Sequence, residues 1–301
     1  MRKTADFTLL FVAFIWGATF VMVQNAISFL ETHSFNAIRF LIGFISLLII
    51  YVLFSRKENK TWSKKLIVAG FQIGIWLFLG YAFQTVGLSY TTPAKAGFIT
   101  GLSVVLVPLF SVLLLKMKLS QNAIIGVIAA AIGLYLMTVV DTASFSLGDV
   151  LILLCAVSFA MQIIMTAKVA RDYEALPLTL VQLFTVSILS FISATIFGED
   201  VSVLVKTTIM LQTEVWSALL VTAIFATALA FFAQTHFQSY TSPTRVALIF
   251  ATEPVFAALT SYLWIDEKLT VASIAGCICI LFGMVVAELP AKQRKIKPDF
   301  H

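Results

Sequence analysis

Long apolar stretches, each about the length of a membrane-spanning helix, fill most of this chain and alternate with short polar or charged breaks. A helix needs about 20 mostly apolar residues to cross a hydrocarbon core about 30 Å thick. Stretches of this length predict an all-α integral membrane protein with ten spans. They lie near residues 7–25, 35–54, 66–88, 96–115, 122–140, 149–168, 177–197, 214–236, 244–264 and 270–289.

The composition agrees with this pattern, since 60% of the residues are hydrophobic and 12% are charged. Soluble domains have roughly 25% charged residues. The first apolar run predicts a span and not a signal peptide, because it is long enough to cross the bilayer and no small-residue cleavage site followed by soluble sequence is evident. The net charge of +5 would favour nucleic acid only in a soluble protein. We therefore expect a lipid bilayer around the chain and no nucleic-acid partner.

Lysine and arginine are distributed unevenly over the loops. With a cytoplasmic N-terminus, sixteen of the twenty lie on the cytoplasmic side and three on the outside, and Arg39 falls within a span. Cytoplasmic loops of membrane proteins carry the excess of these residues. We expect both termini to be cytoplasmic and the protein to reside in the plasma (inner) membrane.

One segment occurs twice in the chain. Residues 89–95 (SYTTPAK) recur as residues 239–245 (SYTSPTR), a shift of 150, and the Gln84-Thr85 pair recurs as Gln234-Thr235. An odd number of predicted spans separates the copies, so they lie upside down relative to each other. Such inverted repeats are typical of many alternating-access transporters.

The repeat extends beyond these segments. Gly126 corresponds to Gly276 at the same shift, whereas Asp6 corresponds to Asp149 at a shift of 143. We expect three parts: a first repeat over residues 1–140, a second repeat over residues 149–289 and a basic cytoplasmic tail over residues 290–301.

Several motifs resemble those of the drug/metabolite transporter superfamily, most nearly its EamA-type family of two five-helix repeats. They are residues 16–20 (WGATF), Arg39-Phe40, the hairpins with Pro93 and Pro243, and residues 253–255 (EPV). The resemblance covers essentially the whole chain and implies an exporter-like carrier with a central cavity formed by both halves. It implies no particular substrate, because the family covers amino acids, nucleobase-like compounds, sugars and drugs.

Glu253 is the one acidic residue near the middle of a predicted span. A carboxylate at that depth costs about 2.5–3.5 kcal/mol on insertion scales, so such groups face a polar cavity or are paired. Two interpretations stay open: a cavity residue that binds a substrate cation or a proton, and a structural acid at the repeat interface. Pro254 lacks a backbone N–H and predicts a helix kink. The corresponding residue in the first repeat is Ser103, so the symmetry is broken here.

Arg39 and Trp16 are also unusual for their depth. Arg39 lies about one turn inside the outer boundary of its span, where snorkelling or helix packing competes with a role as a gate or anionic-substrate contact. Trp16 lies mid-span and not at the interface where tryptophan is enriched. Its indole N–H should meet a polar group, in a cavity wall or in a packed core.

Polar and small residues within other spans admit two interpretations as well. Gln84 and Gln234 are either static hydrogen-bonding residues between helices or substrate contacts. The spacing of Gly97 and Gly101 favours close helix packing. The residues that we expect to line a cavity are Glu253, Trp16, Arg39, Gln84, Gln234, Thr100 and Ser103.

Other functional classes lack support in the sequence. The chain has no GxSxG, HExxH or P-loop motif, so neither an enzyme nor an ATP-driven pump is expected, and no cofactor. Cys277 and Cys279 lack further ligands nearby, so no metal site is expected. The loops are too short for a soluble domain.

We predict a secondary transporter that exports a small metabolite or drug-like solute by alternating access, with proton exchange or facilitated diffusion as coupling modes. A channel-like pore or a non-transporting membrane protein stays as the alternative. A monomer suffices because both repeats are in one chain, and a homodimer is compatible with the sequence.

Overall fold

The computed structural model describes residues 2–54, 62–91, 93–138, 146–200, 207–265 and 270–289, and the regular structure in these residues is helical throughout. The predicted tail 290–301 and the side chain of Lys95 lie outside the described residues. The helices of the first half are α1 (Arg2–Ala26), α2 (Thr32–Phe54), α3 (Lys64–Leu88), α4 (Pro93–Gly101), α5 (Ser103–Leu115) and α6 (Gln121–Thr138).

The second half has the same order of long helices with two additional interruptions. Its members are α7 (Leu147–Val169), α8 (Ala175–Ile196), α9 (Thr207–Met210), α10 (Thr213–Ala223), α11 (Ala230–Gln238), α12 (Pro243–Phe250), α13 (Glu253–Ile265) and α14 (Val271–Glu288). A π-helical segment (Ile224–Leu229) joins α10 to α11 without a break.

Within the described residues, seven helical stretches are long and apolar enough to cross a membrane. They correspond to seven of the ten predicted spans. Two further predicted spans are shorter apolar helices, Gln121–Leu136 and Val271–Ala287. The predicted span 244–264 is divided between α12 and α13. The protein is therefore an all-helical, multi-pass membrane protein.

The break between α12 and α13 has a counterpart in the first half. Thr252 N–H donates to the carbonyl of Ile249, and Leu102 N–H donates to the carbonyl of Ile99, both three residues back. Leu102 and Thr252 are related by the shift of 150. Pro254 is therefore not needed for the interruption, because the break between α4 and α5 occurs at the same place with valine at position 104.

Two connections, which we call the first hairpin (between α3 and α4) and the second hairpin (between α11 and α12), lie at opposite ends of α1. Near its start, Asp6 accepts hydrogen bonds of 2.8 and 2.6 Å from Arg245, at the second hairpin. Just beyond its end, Ile27 packs in a cluster with Leu88, at the first hairpin. Helix α1 therefore spans the bundle from the second-hairpin end to the first-hairpin end.

Glycines bring α6 and α14 together. A Cβ added to Gly126 would lie 2.5 Å from the carbonyl oxygen of Gly283, and one added to Gly133 would lie 2.5 Å from that of Gly276. Since the repeat relates Gly126 to Gly276 and Gly133 to Gly283, each glycine touches the counterpart of the other. This reciprocal contact is what a twofold relation between the halves produces.

The glycines of α3 serve the same purpose. Gly70 and Gly74 lie against Val181 and Thr185 of α8, close enough that an added Cβ would clash with both side chains. Helix α3 therefore packs tightly on the second half, in keeping with small-residue packing between membrane helices.

Candidate functional site

A cavity lies between the two halves. Its empty volume is about 860 Å³, a value that includes space open to the solvent. Residues of α1, α2, α3, α4, α5, α7, α11, α12 and α13 line it. The structure brings all seven sequence-predicted residues to this one cavity: Glu253, Trp16, Arg39, Gln84, Gln234, Thr100 and Ser103.

Many of the residues that line the cavity occur in pairs, one from each half of the chain at corresponding positions of the repeat. With the shift of 143 for the first helix of each repeat and 150 for the hairpin helices, seven pairs of corresponding residues line the cavity together. The pairs are Trp16 with Phe159, Thr19 with Gln162, Phe20 with Ile163, Tyr81 with Phe231, Gln84 with Gln234, Thr100 with Phe250 and Ser103 with Glu253. The cavity therefore lies on the pseudo-symmetry axis between the halves.

The two ends of the cavity differ. Four further residues line it toward the first hairpin: Val23, Thr85, Leu88 and Gly97. Their counterparts toward the second hairpin are at most 2% exposed and do not line it: Thr166, Thr235, Gln238 and Ala247. The cavity extends toward the first-hairpin end and stops short of the second.

Hydrogen bonds between α7 and α11 close the second-hairpin end. Gln234 Nε2 donates to Gln162 Oε1 at 2.9 Å. Gln238 Nε2 donates to the carbonyl of Ile163. Ile163 also belongs to a buried apolar cluster that includes Leu9 and Phe250. The closure is therefore both polar and hydrophobic.

The corresponding contacts at the first-hairpin end are absent from the described residues. The Thr19 hydroxyl donates to the carbonyl of Trp16 in its own helix, at 3.0 Å. The Gln84 side chain makes no hydrogen bond within the described part of the chain. Thr19 and Gln84 thus line the cavity where their counterparts Gln162 and Gln234 are bonded to each other.

Glu253 is the first residue of α13 and faces the cavity half-buried. Its carboxyl group makes neither a hydrogen bond nor an ion pair with any other described residue. Helix α1 passes close by, since a Cβ added to Gly17 would lie 2.5 Å from the carbonyl oxygen of Glu253. The described structure gives no hydrogen-bonding partner for a purely structural acid here.

Arg39 points into the protein and does not snorkel, since it is 4% exposed. Its Nε donates to Thr227 Oγ1 at 2.8 Å, and one terminal nitrogen donates to Tyr81 Oη at 3.4 Å. The guanidinium carbon lies 4.8 Å from the centroid of the Tyr81 ring, a cation–π distance. Arg39 is therefore held by neutral groups at the cavity wall.

The π-helical segment supplies partners for two cavity residues. Trp16 Nε1 donates to the carbonyl of Ala226 at 2.8 Å, and Thr227 accepts from Arg39. π-Helical turns occur often at functional sites. The corresponding part of α3 is continuous α-helix, so this device belongs to the second half alone.

Comparison with known proteins identifies the family. The model of the EamA-like transporter family matches residues 3–139 and, a second time, residues 146–288. The chain belongs to the EamA-like transporter family. The resemblance inferred from its motifs is thereby confirmed.

Curated proteins resemble the chain along most of its length. One, named an uncharacterized transporter, from Archaeoglobus fulgidus, is 37% identical over 96% of this chain and 87% of its own. The uncharacterized transporter YyaM of Bacillus subtilis is 24% identical over 90% of this chain and 89% of its own. A protein of known crystal structure superposes with a TM-score of 0.78 at 19% identity, over 98% of this chain and 100% of that one. The last likeness concerns the fold alone.

Sequence reasoning missed most of the aromatic wall in this EamA-family protein. Tyr81, Phe159, Phe231 and Phe250 line the cavity, but a phenylalanine in an apolar span carries no signal by itself. A signal was available in the repeat, because Trp16 and Phe159 are both aromatic and so are Tyr81 and Phe231. This signal is not sufficient by itself, since Tyr90 and Tyr240 also correspond and are both exposed outside the cavity wall.

Gly97 does not have the helix-packing role that its spacing from Gly101 predicts. A Cβ added to it would meet no described atom within 4 Å, and the residue lines the cavity. Gly101, in contrast, contacts Leu134, as close helix packing requires. Gly101 therefore both packs against a neighbouring helix and lines the cavity, whereas Gly97 lines the cavity without a packing contact among the described residues.

The cavity offers charge, hydrogen bonding and aromatic surface to a small solute. The described residues contain no group of three metal-ligating side chains. Gln234 Oε1 is buried without a partner in the described structure and adds an acceptor at the wall. Apolar lining with a few placed polar groups is typical of small-molecule sites.

Proposed function

We propose that this EamA-family protein is a secondary transporter that moves a small solute across the plasma membrane by alternating access through the central cavity. One observation carries the proposal. Seven corresponding pairs of residues line the cavity, yet it extends toward the first-hairpin end alone.

The pseudo-symmetry of the two halves indicates what the other conformation of the transport cycle would be. In inverted-repeat transporters, exchange of conformation between the halves opens one end as the other closes around a midplane site. Here the exchange would bring Gln84 to Thr19, as Gln234 now meets Gln162, and would separate the latter pair. The cavity would then extend toward the second hairpin, with the same seven pairs at its centre.

A channel is the alternative that this geometry disfavours. A channel needs a continuous path with weak binding along it. The path here ends at the glutamine bonds of Gln162 and Gln238 and at the apolar cluster behind them. Counterflow of labelled solute against unlabelled solute, which a carrier catalyses and a pore does not, distinguishes the two.

The topology that we propose has ten spans with both termini cytoplasmic. The distribution of lysine and arginine supports it. In that orientation the first hairpin is external, so the described cavity extends outward. Reporter fusions after α1, α6 and α14 test the proposal, and an external signal from a fusion after α14 would contradict it.

For energy coupling we propose proton exchange at Glu253, with export of the solute. An intramembrane carboxyl group without a partner in the described structure suits a group that binds a proton and a solute in turn. No nucleotide-binding motif is present for a primary pump. Export is the direction that the family resemblance implies.

Metabolite profiling of cells with and without the protein identifies the solute, and flux in proteoliposomes then tests the mechanism. We expect a saturable rate that depends on pH in the wild type. Glu253→Gln should abolish the pH dependence, whereas Glu214→Gln, an exposed acid in the first turn of α10, should preserve it. An unchanged pH dependence in Glu253→Gln would remove proton coupling from the proposal and leave facilitated diffusion.

A further inference from the structure

We propose that Arg39 forms a subsite for an anionic group, a carboxylate, on the transported solute. This rests on the proposed function in one respect, namely that the cavity is where the solute binds. It goes further by giving the solute a charge at a defined place on the wall.

Arg39 is a buried cation with unused donors. A guanidinium has five N–H donors, and the described structure uses two of them, on Thr227 and Tyr81. The residue is 4% exposed and lines the cavity. The remaining donors have no partner among the described residues, so a solute oxygen can accept from them.

The charge of Arg39 is also unbalanced within the described structure. Glu253 is the acid that shares the cavity, and the two side chains form no ion pair. Asp6 is bonded to Arg245, and Glu199 accepts hydrogen bonds from the backbone and side chain of Ser34. A buried arginine without a carboxylate is matched well by a ligand that brings one, because the fork of the guanidinium fits a carboxylate.

The surrounding contacts fix the orientation of the guanidinium. One face lies over the Tyr81 ring at 4.8 Å, and the Phe40 ring centroid is 5.7 Å away. The bonds from Nε to Thr227 and from one terminal nitrogen to Tyr81 hold the group in place and leave the other terminal nitrogen without a described partner. The starts of α2 and α8, Thr32 and Ala175, also differ by 143, so the counterpart of Arg39 is Gln182. Because Gln182 is fully buried and does not line the cavity, helix packing alone does not require a guanidinium at this position.

Aromatic rings next to Arg39 indicate what accompanies the carboxylate. Tyr81 lies 6.0 Å from Phe231, which lies 5.4 Å from Trp16, which lies 4.8 Å from Phe250, measured between ring centroids. This continuous strip runs from the Arg39 region toward α13. An apolar or aromatic body attached to the carboxylate would pack against it.

Three benzyl compounds of similar size and different charge test the proposal. Purified full-length protein in nanodiscs is titrated with phenylacetate, 2-phenylethylamine and phenylacetamide, and binding is followed by calorimetry and by thermal unfolding. We expect saturable binding of phenylacetate, and binding of the amide and the amine weaker by on the order of tenfold or more.

Substitutions test whether Arg39 is the residue that binds the carboxylate of phenylacetate. Arg39→Gln should lower phenylacetate affinity by on the order of tenfold or more and remove the preference over the amide. Arg39→Lys keeps a charge without the fork and should fall between. The matched control is Arg171→Gln, since exposed Arg171 donates to the Ser239 carbonyl at the second hairpin. Should Arg39→Gln not fold, Arg39→Lys and Thr227→Val supply the comparison.

The outcomes separate this proposal from the transport proposal. No saturable phenylacetate binding, a preference for the amine or the amide, or an unchanged preference in the Arg39 variants overturns the subsite. Carboxylate binding through Arg39 without solute flux in proteoliposomes leaves the subsite in place and overturns transport instead.

Discussion

Gln234 donates a 2.9 Å hydrogen bond to Gln162 across the second-hairpin end of the cavity, and this bond has no counterpart at the other end within the described structure. The corresponding residues, Gln84 and Thr19, both line the cavity. The sequences of the two ends are similar, but their conformations differ. If transport follows the proposed alternating access, we expect the contacts of these four residues to change during it.

Cross-linking tests this assignment. In a variant without the three native cysteines, Gln162→Cys with Gln234→Cys should react readily with a short bismaleimide linker, because these side chains are in contact. The linked protein should be locked with its second-hairpin end closed, and solute flux should stop. Flux in proteoliposomes, before and after linking, is the measurement.

The complementary pair, Thr19→Cys with Gln84→Cys, serves as the comparison. It should cross-link slowly, and faster under conditions that favour closure of the first-hairpin end. Equal and complete linking of both pairs, with flux unaffected, would show that the glutamine contacts are static.

Much of this site could be predicted because its chemistry is costly in a bilayer. Glu253, Arg39 and Trp16 stand out in apolar spans, and the structure places all three at one cavity. Phe159 and Phe250 did not stand out, because a phenylalanine is equally common on a lipid-facing surface. The π-helical segment also left no sequence signal, since residues 224–229 (IFATAL) suit an α-helix and the segment is tied to distant partners, Trp16 and Arg39.

Trp16→Phe should destabilise the protein, although it retains an aromatic ring. The substitution removes the indole donor and with it the hydrogen bond to the Ala226 carbonyl in the π-helical segment. A hydrogen bond of this kind contributes about 0.5–1.5 kcal/mol to stability. A lower midpoint of thermal unfolding in detergent is the measurement. Trp216→Phe, at an exposed tryptophan of α10, should change the midpoint little, and an equal loss in both variants would contradict the role of the bond.

Gly17→Ala should disturb the contact between α1 and α13. The added Cβ would lie 2.5 Å from the Glu253 carbonyl oxygen and 2.8 Å from the Ala257 nitrogen, both backbone atoms that cannot rotate away. Overpacking of this kind costs about 1–3 kcal/mol. We expect a lower unfolding midpoint together with impaired flux, since the displaced helix carries Glu253. An unchanged midpoint would show that α13 shifts without strain.

Gly97→Leu should have the opposite profile. An added Cβ at this position meets no described atom within 4 Å, and because Gly97 lines the cavity we expect the rest of a larger side chain to project into it. We expect an unfolding midpoint near that of the wild type and a large loss of solute flux. Gly97→Ala is the matched control and should retain most of the flux. Full flux in Gly97→Leu would place the solute path elsewhere.

The ion pair between Asp6 and Arg245 should stabilise the second-hairpin end. It joins the first helix of one repeat to the hairpin of the other through two hydrogen bonds, with side chains 13% and 12% exposed. Its burial lies between that of surface pairs, worth about 0.2–1 kcal/mol, and that of buried pairs, whose disruption costs about 3–5 kcal/mol. We expect Asp6→Asn to lower stability by about 1–3 kcal/mol on this basis.

Charge reversal isolates the pairing from other effects of Asp6. Asp6→Arg alone should destabilise more than Asp6→Asn, because it places two cations together, and addition of Arg245→Asp should restore part of the loss. At the other end, the corresponding acid Asp149 accepts from Thr91 at 3.0 Å. Each repeat therefore anchors its first helix to the hairpin of the other repeat. Without recovery in the double variant, the Asp6 effect would have to arise from groups other than Arg245.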